Sequence, residues 1–143
     1  MALDPIDGEI LGYLQIDGRM SYRELGEKVG LSPTAVAARI DRMLQSGVIA
    51  GFRAELDHRA LGNMIHALVD IRFNQTTYGD EFIPLLESMP EVVAARFVTG
   101  PFDCALDVWV PAPEHLDRLL AILKQTGDVA EMQTRLVLRT AKG

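Results

Sequence analysis

Five consecutive residues, Val29-Gly30-Leu31-Ser32-Pro33, constrain this chain more than any others. Glycine is the residue type that ends a helix in a left-handed cap, so a helix stops at Gly30. Ser32 is a preferred N-cap, and Pro33 suits the first helical position, so another helix starts at once. The upstream helix opens at Ser21-Tyr22-Arg23-Glu24, which has the spacing of a capping box, and buries Leu25 and Val29. The downstream helix carries Val36, Ile40, Met43 and Leu44 on its inner face and ends at Gly47. Leu31 plugs the turn. Two helices this short, joined this tightly, match a helix-turn-helix.

A further helix precedes the pair. Asp4 caps it, Pro5 takes its first position, and Asp7 sits at the positive end of its dipole. Ile6, Ile10 and Leu14 give it one apolar face, flanked by Leu3 and Leu11, and Asp17-Gly18 ends it after Gln15. Beyond the third helix, Val48-Ile49-Ala50-Gly51-Phe52-Arg53 reads as a short hairpin or wing. In a helix-turn-helix the second helix enters the major groove with its N-terminal residues against base edges. With the core positions assigned, Thr34, Ala35, Ala38, Arg39 and Arg42 remain on its outer face. The alanines let the backbone come close, and the arginines can reach bases or phosphates. Ser32 and the helix N-terminus offer donors to a phosphate. A plain three-helix bundle with solvated arginines has the same pattern.

From Asn63 the apolar period changes. Ile65, Ala67, Val69, Ile71 and Phe73 alternate with polar and apolar partners as a strand. Asp80 to Met89 reads as a helix distorted by Pro84, and Val92 to Thr99 as a strand. After the turn Gly100-Pro101 comes a strand from Phe102 to Val110, then a helix from Pro113 to Gln125. Met132 to Leu138 is the last strand. The order βαββαβ is ferredoxin-like, so the fold class is α+β, with both helices on one face of a four-stranded antiparallel sheet. The other face shows Leu68, Ala105, Trp109 and Val137 among Asp70, Asp107, Arg135 and Arg139. Such a mixed apolar surface calls for a partner, and the simplest is a second copy, sheet against sheet. Two domains are expected: residues 1–62, a winged helix-turn-helix with its linker, and residues 63–143, a sensing and oligomerising domain.

The run Leu3-Asp4-x-Ile6-Asp7, Leu14-Gln15-x-Asp17-Gly18-Arg19, Leu25, Val29-Gly30-Leu31-Ser32-Pro33, Arg39-Ile40 and Gly47-Val48-Ile49-x-Gly51-Phe52 resembles the leucine-responsive regulator/AsnC family. Asp57 and Leu61-Gly62 resemble the end of that family's linker, so the likeness spans most of the first 62 residues. It implies that the helix starting at Ser32 is the recognition helix, and that the C-terminal domain dimerises and assembles into an octamer. Val98-Thr99-Gly100-Pro101-Phe102-Asp103 is similar to the family's Val-Thr-Gly-x-Tyr-Asp segment, which lines an amino-acid site between dimers. The resemblance thus implies effector-binding roles for Thr99, Gly100, Phe102, Asp103 and Thr134. Gly100 suits close approach of a carboxylate and Asp103 can accept from an ammonium. Phe102 stands where the family usually has Tyr, and Pro101 removes a backbone donor. Read without the resemblance, the segment is an ordinary hairpin turn.

The net charge of −6 bears on the DNA reading. Residues 1–62 carry seven Lys/Arg against nine Asp/Glu, and residues 63–143 seven against eleven, so neither half is a basic domain. A monomer of this charge binds DNA weakly, and several contact sites in an oligomer are expected. Cys104 is the only cysteine, which leaves no intrachain disulfide or multi-cysteine zinc site. His58, His66 and His115 are not at metal-ligand spacing, so no metal, cofactor or catalysis is expected. With no apolar run long enough for a bilayer and no basic-then-apolar leader, the expected setting is a prokaryotic cytoplasm, at the nucleoid. The expected function is a sequence-specific, double-stranded-DNA-binding transcriptional regulator that answers to an amino acid or related metabolite. An architectural DNA-wrapping protein and a metabolic enzyme with a vestigial helix-turn-helix are the rival readings.

Overall fold

The computed structural model describes residues 2–74 and 79–143, and the chain divides into two compact units between Glu55 and Leu56. The first unit holds α1 (Pro5–Ile16), α2 (Tyr22–Val29) and α3 (Pro33–Gln45). Its core is Ile10, Leu25, Val36, Ile40 and Met43, all but sealed from water, with Ile6, Leu14, Val29, Leu31 and Ile49 packed around them. Each such burial contributes roughly 1.5–3 kcal/mol. Leu44, expected inside, is exposed at the helix end.

The turn between α2 and α3 closes as the residues dictate. Gly30 adopts φ 71°, ψ 33°, and both its N–H and that of Leu31 donate to the Gly26 carbonyl. Ser32 caps α3 by accepting from Ala35 N at 3.1 Å. The tightness has a second cause that periodicity does not reveal. A Cβ on Gly26 would lie 2.3 Å from the Leu31 carbonyl oxygen, so α2 packs this close only because position 26 has no side chain.

Two local expectations are corrected. The reciprocal capping box forms at α1, where Asp7 N donates to Asp4 and Asp4 N donates to Asp7. At α2 only half of it forms: Ser21 Oγ accepts from Glu24 N, and the Glu24 side chain reaches into solvent. The stretch after α3 is not a hairpin. Gly47 turns the chain at φ 79°, Ile49 N donates back to Met43 O, and residues 50–56 continue with no strand pairing among the described residues. A hairpin needs a second β-run within a few residues, and Ala54-Glu55-Leu56-Asp57 does not supply one.

The second unit has the βαββαβ order: β1 (Ile65–Phe73), a 3₁₀ turn (Asp80–Phe82) running into α4 (Ile83–Glu87), β2 (Val92–Phe97), β3 (Cys104–Val110), α5 (Pro113–Gln125) and β4 (Val129–Leu136). The sheet is antiparallel in the order β2-β3-β1-β4. Alternation sends Ala67, Val69, Ile71 and Phe73 of β1 and Cys104, Leu106, Val108 and Val110 of β3 to one side. There they pack with Phe82, Leu86, Met89, Leu119 and Leu123. Pro84 keeps α4 to a single short helix after the 3₁₀ turn. The last strand starts earlier than its apolar residues indicate, since Val129 already pairs with Phe73 across a bulge. Residues 56–62, grouped by the sequence with the helices, belong to this second unit, where the His58 ring stacks on Trp109.

Gly26→Ala is expected to destabilise the first unit by about 2 kcal/mol or more, because the added methyl meets backbone and not a movable side chain. Urea unfolding checks this, and wild-type stability would show that the turn can relax.

Candidate functional site

The face of α3 opposite its core follows from helical spacing. Val36, Ile40 and Met43 point inward, and Thr34, Ala38, Asp41 and Gln45 lie on the solvent side, all exposed. Ala35 is half-buried on one flank. Ser32 Oγ is used as the cap acceptor and keeps its hydroxyl proton to donate.

Arg39 and Arg42 are not on a free outer face, as periodicity placed them. Three residues apart, they lie on the flank that meets α1. Arg39 Nη1 donates to Asp4 Oδ2 at 2.6 Å and to Asp7 Oδ1 at 2.8 Å. Arg42 Nη2 donates to both Asp7 oxygens, at 3.0 and 3.3 Å. Asp7 is fully buried, the one buried charged residue among those described, and these two guanidiniums compensate it. The Arg39 side chain is 24% exposed and that of Arg42 51%. The Arg39 hydrogen bond, seconded by Asp7 N–H, holds the Asp4 carboxyl below its ordinary value of 3.8. The same bonds to Asp4 and Asp7 raise Arg39 further above its ordinary value. The missed signal was the matching spacing: acids three apart at the start of α1, and arginines three apart in α3. Of the unit's other cations, Arg19, Lys28 and Arg53 are exposed, and Arg23 pairs loosely with Glu27 at 3.4 Å.

Where β1 ends and β3 begins, the 98–103 turn is held by Val98 N donating to Asp103 O and Asp103 N donating to Ile71 O. Asp103 Oδ2 accepts from Phe73 N at 2.9 Å, so this carboxylate already ties the turn to the end of β1. Its other oxygen makes no hydrogen bond among the described residues. Gly100 stands at φ 108° with open space around it, so its glycine serves conformation, with room left beside it. Thr99 is exposed and Phe102 half-buried. Thr134 is not with them. It pairs with Val69 on β4, the opposite flank of β1 from β3, two strand spacings or roughly 10 Å away laterally. Within one chain these five residues do not converge.

The uncovered sheet face is largely neutralised from within. Asp70 pairs with Arg135 at 2.9 Å, Arg72 with Glu131 at 2.9 Å, and His66 Nε2 lies 2.5 Å from Asp107 Oδ1. Trp109 stacks on His66 at 4.2 Å between centroids as well as on His58, and Arg59 sits 5.8 Å from its ring. Leu68, Ala105 and Val137 complete the surface, each half-buried. Cys104 points into the core, where burial raises its thiol above the ordinary value.

Comparison with known proteins matches both units. The model of the AsnC-type helix-turn-helix domain covers residues 3–44, and that of the Lrp/AsnC ligand binding domain residues 66–143. An HTH-type transcriptional regulator of Mycobacterium tuberculosis is 38% identical over 136 residues, 95% of this chain and 92% of that protein. The regulatory protein AsnC of Haemophilus influenzae is 31% identical over 135 residues, 94% of this chain and 90% of the other. Among solved structures, a Neisseria meningitidis transcriptional regulator in complex with L-methionine superposes with a TM-score of 0.93. It is 26% identical, over 99% of this chain and 94% of that one.

Asp7→Ala is expected to lower the unfolding free energy by roughly 1–3 kcal/mol, since it removes the carboxylate that both arginines and the Asp4 N–H share and leaves Arg39 with Asp4 alone. Asp4→Asn has a smaller, pH-dependent effect. A depressed carboxyl stabilises the fold above its ordinary value and loses that contribution as pH falls through the folded one. Thermal melts of wild type and Asp4→Asn therefore differ at neutral pH and converge below about pH 4. A gap that persists in acid would contradict the Arg39 pairing.

Proposed function

This chain belongs to the Lrp/AsnC family of transcriptional regulators, with a helix-turn-helix and a ligand-binding domain, and from that premise we propose what it reads and what it answers to. It binds pseudo-palindromic promoter sites sequence-specifically, through α3, in the cytoplasm. An amino acid or related small metabolite shifts it between assemblies that bind DNA differently. The observation that carries the first part is the solvent face of α3. Thr34, Ala38 and Gln45 are short or hydrogen-bonding, which suits insertion against base edges. Free cations are few around it, since Arg39 is spent on Asp4 and Asp7 and Arg42 has one nitrogen on Asp7. That scarcity argues for base reading by an oligomer over indiscriminate wrapping of the backbone.

A homodimer formed sheet against sheet is supported by the neutralised, Trp109-centred open face. Assembly beyond the dimer, to an octamer, has its support in the separation of Thr134 from the 99–103 turn. A pocket using both needs a second chain, so effector binding and assembly are one event. Thr99, Gly100, Phe102 and Asp103 then face the ligand from one copy, with Thr134 from another. The Neisseria relative's complex with L-methionine supports an amino acid as effector. Phe102 and the donorless Pro101 favour a ligand with an apolar side chain and a carboxylate held by other donors.

Ala38→Glu places a carboxylate on the reading face without touching the core. It should reduce affinity for the upstream DNA of the chain's own gene at least tenfold, or about 1.4 kcal/mol, with melting unchanged. Unaltered mobility shifts would remove α3 from the interface. Asp103→Asn keeps an acceptor for Phe73 N and removes the charge. It should abolish the response to the active amino acid, read as a change in sedimentation or in the DNA shift, while basal DNA binding stays. A normal response at normal concentration would move the effector elsewhere.

A further inference from the structure

We infer that Asp7 is a positioning residue for DNA recognition, acting through Arg42, and that Arg39 serves as its counter-charge without contacting DNA. This rests on the reading of α3 as the recognition helix. The inference starts from an asymmetry between the two arginines. Arg39 spends one nitrogen on two carboxylates and is three-quarters covered. Arg42 spends only Nη2, on Asp7, and half of its side chain remains in water. A guanidinium has five N–H donors in a rigid plane. Nη2 is bonded to both oxygens of a buried carboxylate, which restrains that plane, while the Nε and Nη1 N–H groups, three donors that do not share an edge, make no hydrogen bond among the described residues.

Arg42 is one turn beyond Ala38, beside Asp41 and Gln45. An ordered, partly exposed arginine next to a groove-reading face suits a phosphate, which accepts a charge-assisted N–H bond from a nitrogen that Asp7 leaves free. The ordering also matters energetically. A free arginine loses rotamer entropy on immobilisation, and Asp7 removes much of that loss before DNA arrives. Asp7 itself, wholly buried, touches no ligand. Its role is transmitted by the two bonds to Arg42 Nη2.

The test is a double-mutant cycle on DNA affinity, using a duplex selected by the wild-type protein from a random library. Arg42→Ala should weaken binding about tenfold and lower the slope of log affinity against log salt by about one per DNA-reading head. Asp7→Asn, nearly isosteric, should weaken binding several-fold in the wild-type background and have no further effect in the Arg42→Ala background. Equal losses in both backgrounds would make Asp7 merely structural and overturn the inference. So would an unchanged salt slope in Arg42→Ala. If Arg42→Ala is silent while Ala38→Glu abolishes binding, α3 still reads DNA and only the positioning role falls. If Ala38→Glu is silent too, the recognition-helix reading falls with it. Should Asp7→Asn prove too unstable to assay, Arg42→Lys carries the same question. Lysine keeps the charge but has one nitrogen, so affinity should drop several-fold with the slope retained, and wild-type affinity would overturn the assignment.

Discussion

The buried carboxylate of Asp7 sets the geometry of the DNA-reading unit. A carboxylate with no exposure survives only if its charge and lone pairs are met, and here α3 meets them with two arginines from one flank. Helix α1 is thereby tied to α3 by charge, in addition to the apolar packing of Ile10 against Val36, Ile40 and Met43. Apolar packing alone tolerates small rotations of one helix against another. A set of short bonds between α1 and α3 does not. The capping box at the start of α1 belongs to the same device, because Asp4 and Asp7 cap the helix and hold Arg39 with the same carboxylates.

The second unit answers to a different constraint. Its alternating strands bury one face under α4 and α5 and leave the other uncovered, with its charges paired sideways across strands. Cross-strand ion pairs cost little to bury, compared with lone charges, when a second surface closes over them. Trp109, already flattened against two imidazoles, presents a large rigid contact area at the same place. The turn at 98–103 lies at the end of β3 and is tethered to β1, whereas Thr134 sits on the outer strand. Within one chain, the turn and Thr134 therefore stay two strands apart.

Most of the fold was legible in the sequence because it is written in local rules. Gly30 and Ser32-Pro33 punctuate the helix-turn-helix, α5 spans Pro113–Gln125 as its periodicity indicates, and the alternation of β1 and β3 assigns their buried faces residue by residue. What escaped depends on contacts distant in the chain. The Gly26–Leu31 approach is a matter of packing distance, and the Asp4–Asp7–Arg39–Arg42 cluster joins residues more than thirty positions apart. Periodicity sorts residues into inside and outside, and a flank that meets another helix is neither. The same blindness assigned residues 56–62 to the helices, since the His58–Trp109 stack leaves no periodic trace. The expected wing does not form for a simpler reason: residues 50–56 have no second strand beside them among the described residues.

The central claim is that α3 reads base sequence and that a metabolite changes how the chain assembles to do so. Its most direct measurement is selection of duplexes from a random library by the purified protein, sequenced with and without each amino acid. The expected result is a pseudo-palindromic motif, with half-sites about one helical turn apart or a multiple of it, whose enrichment or spacing one amino acid alters. Salt-sensitive binding that enriches no motif under any condition would contradict it.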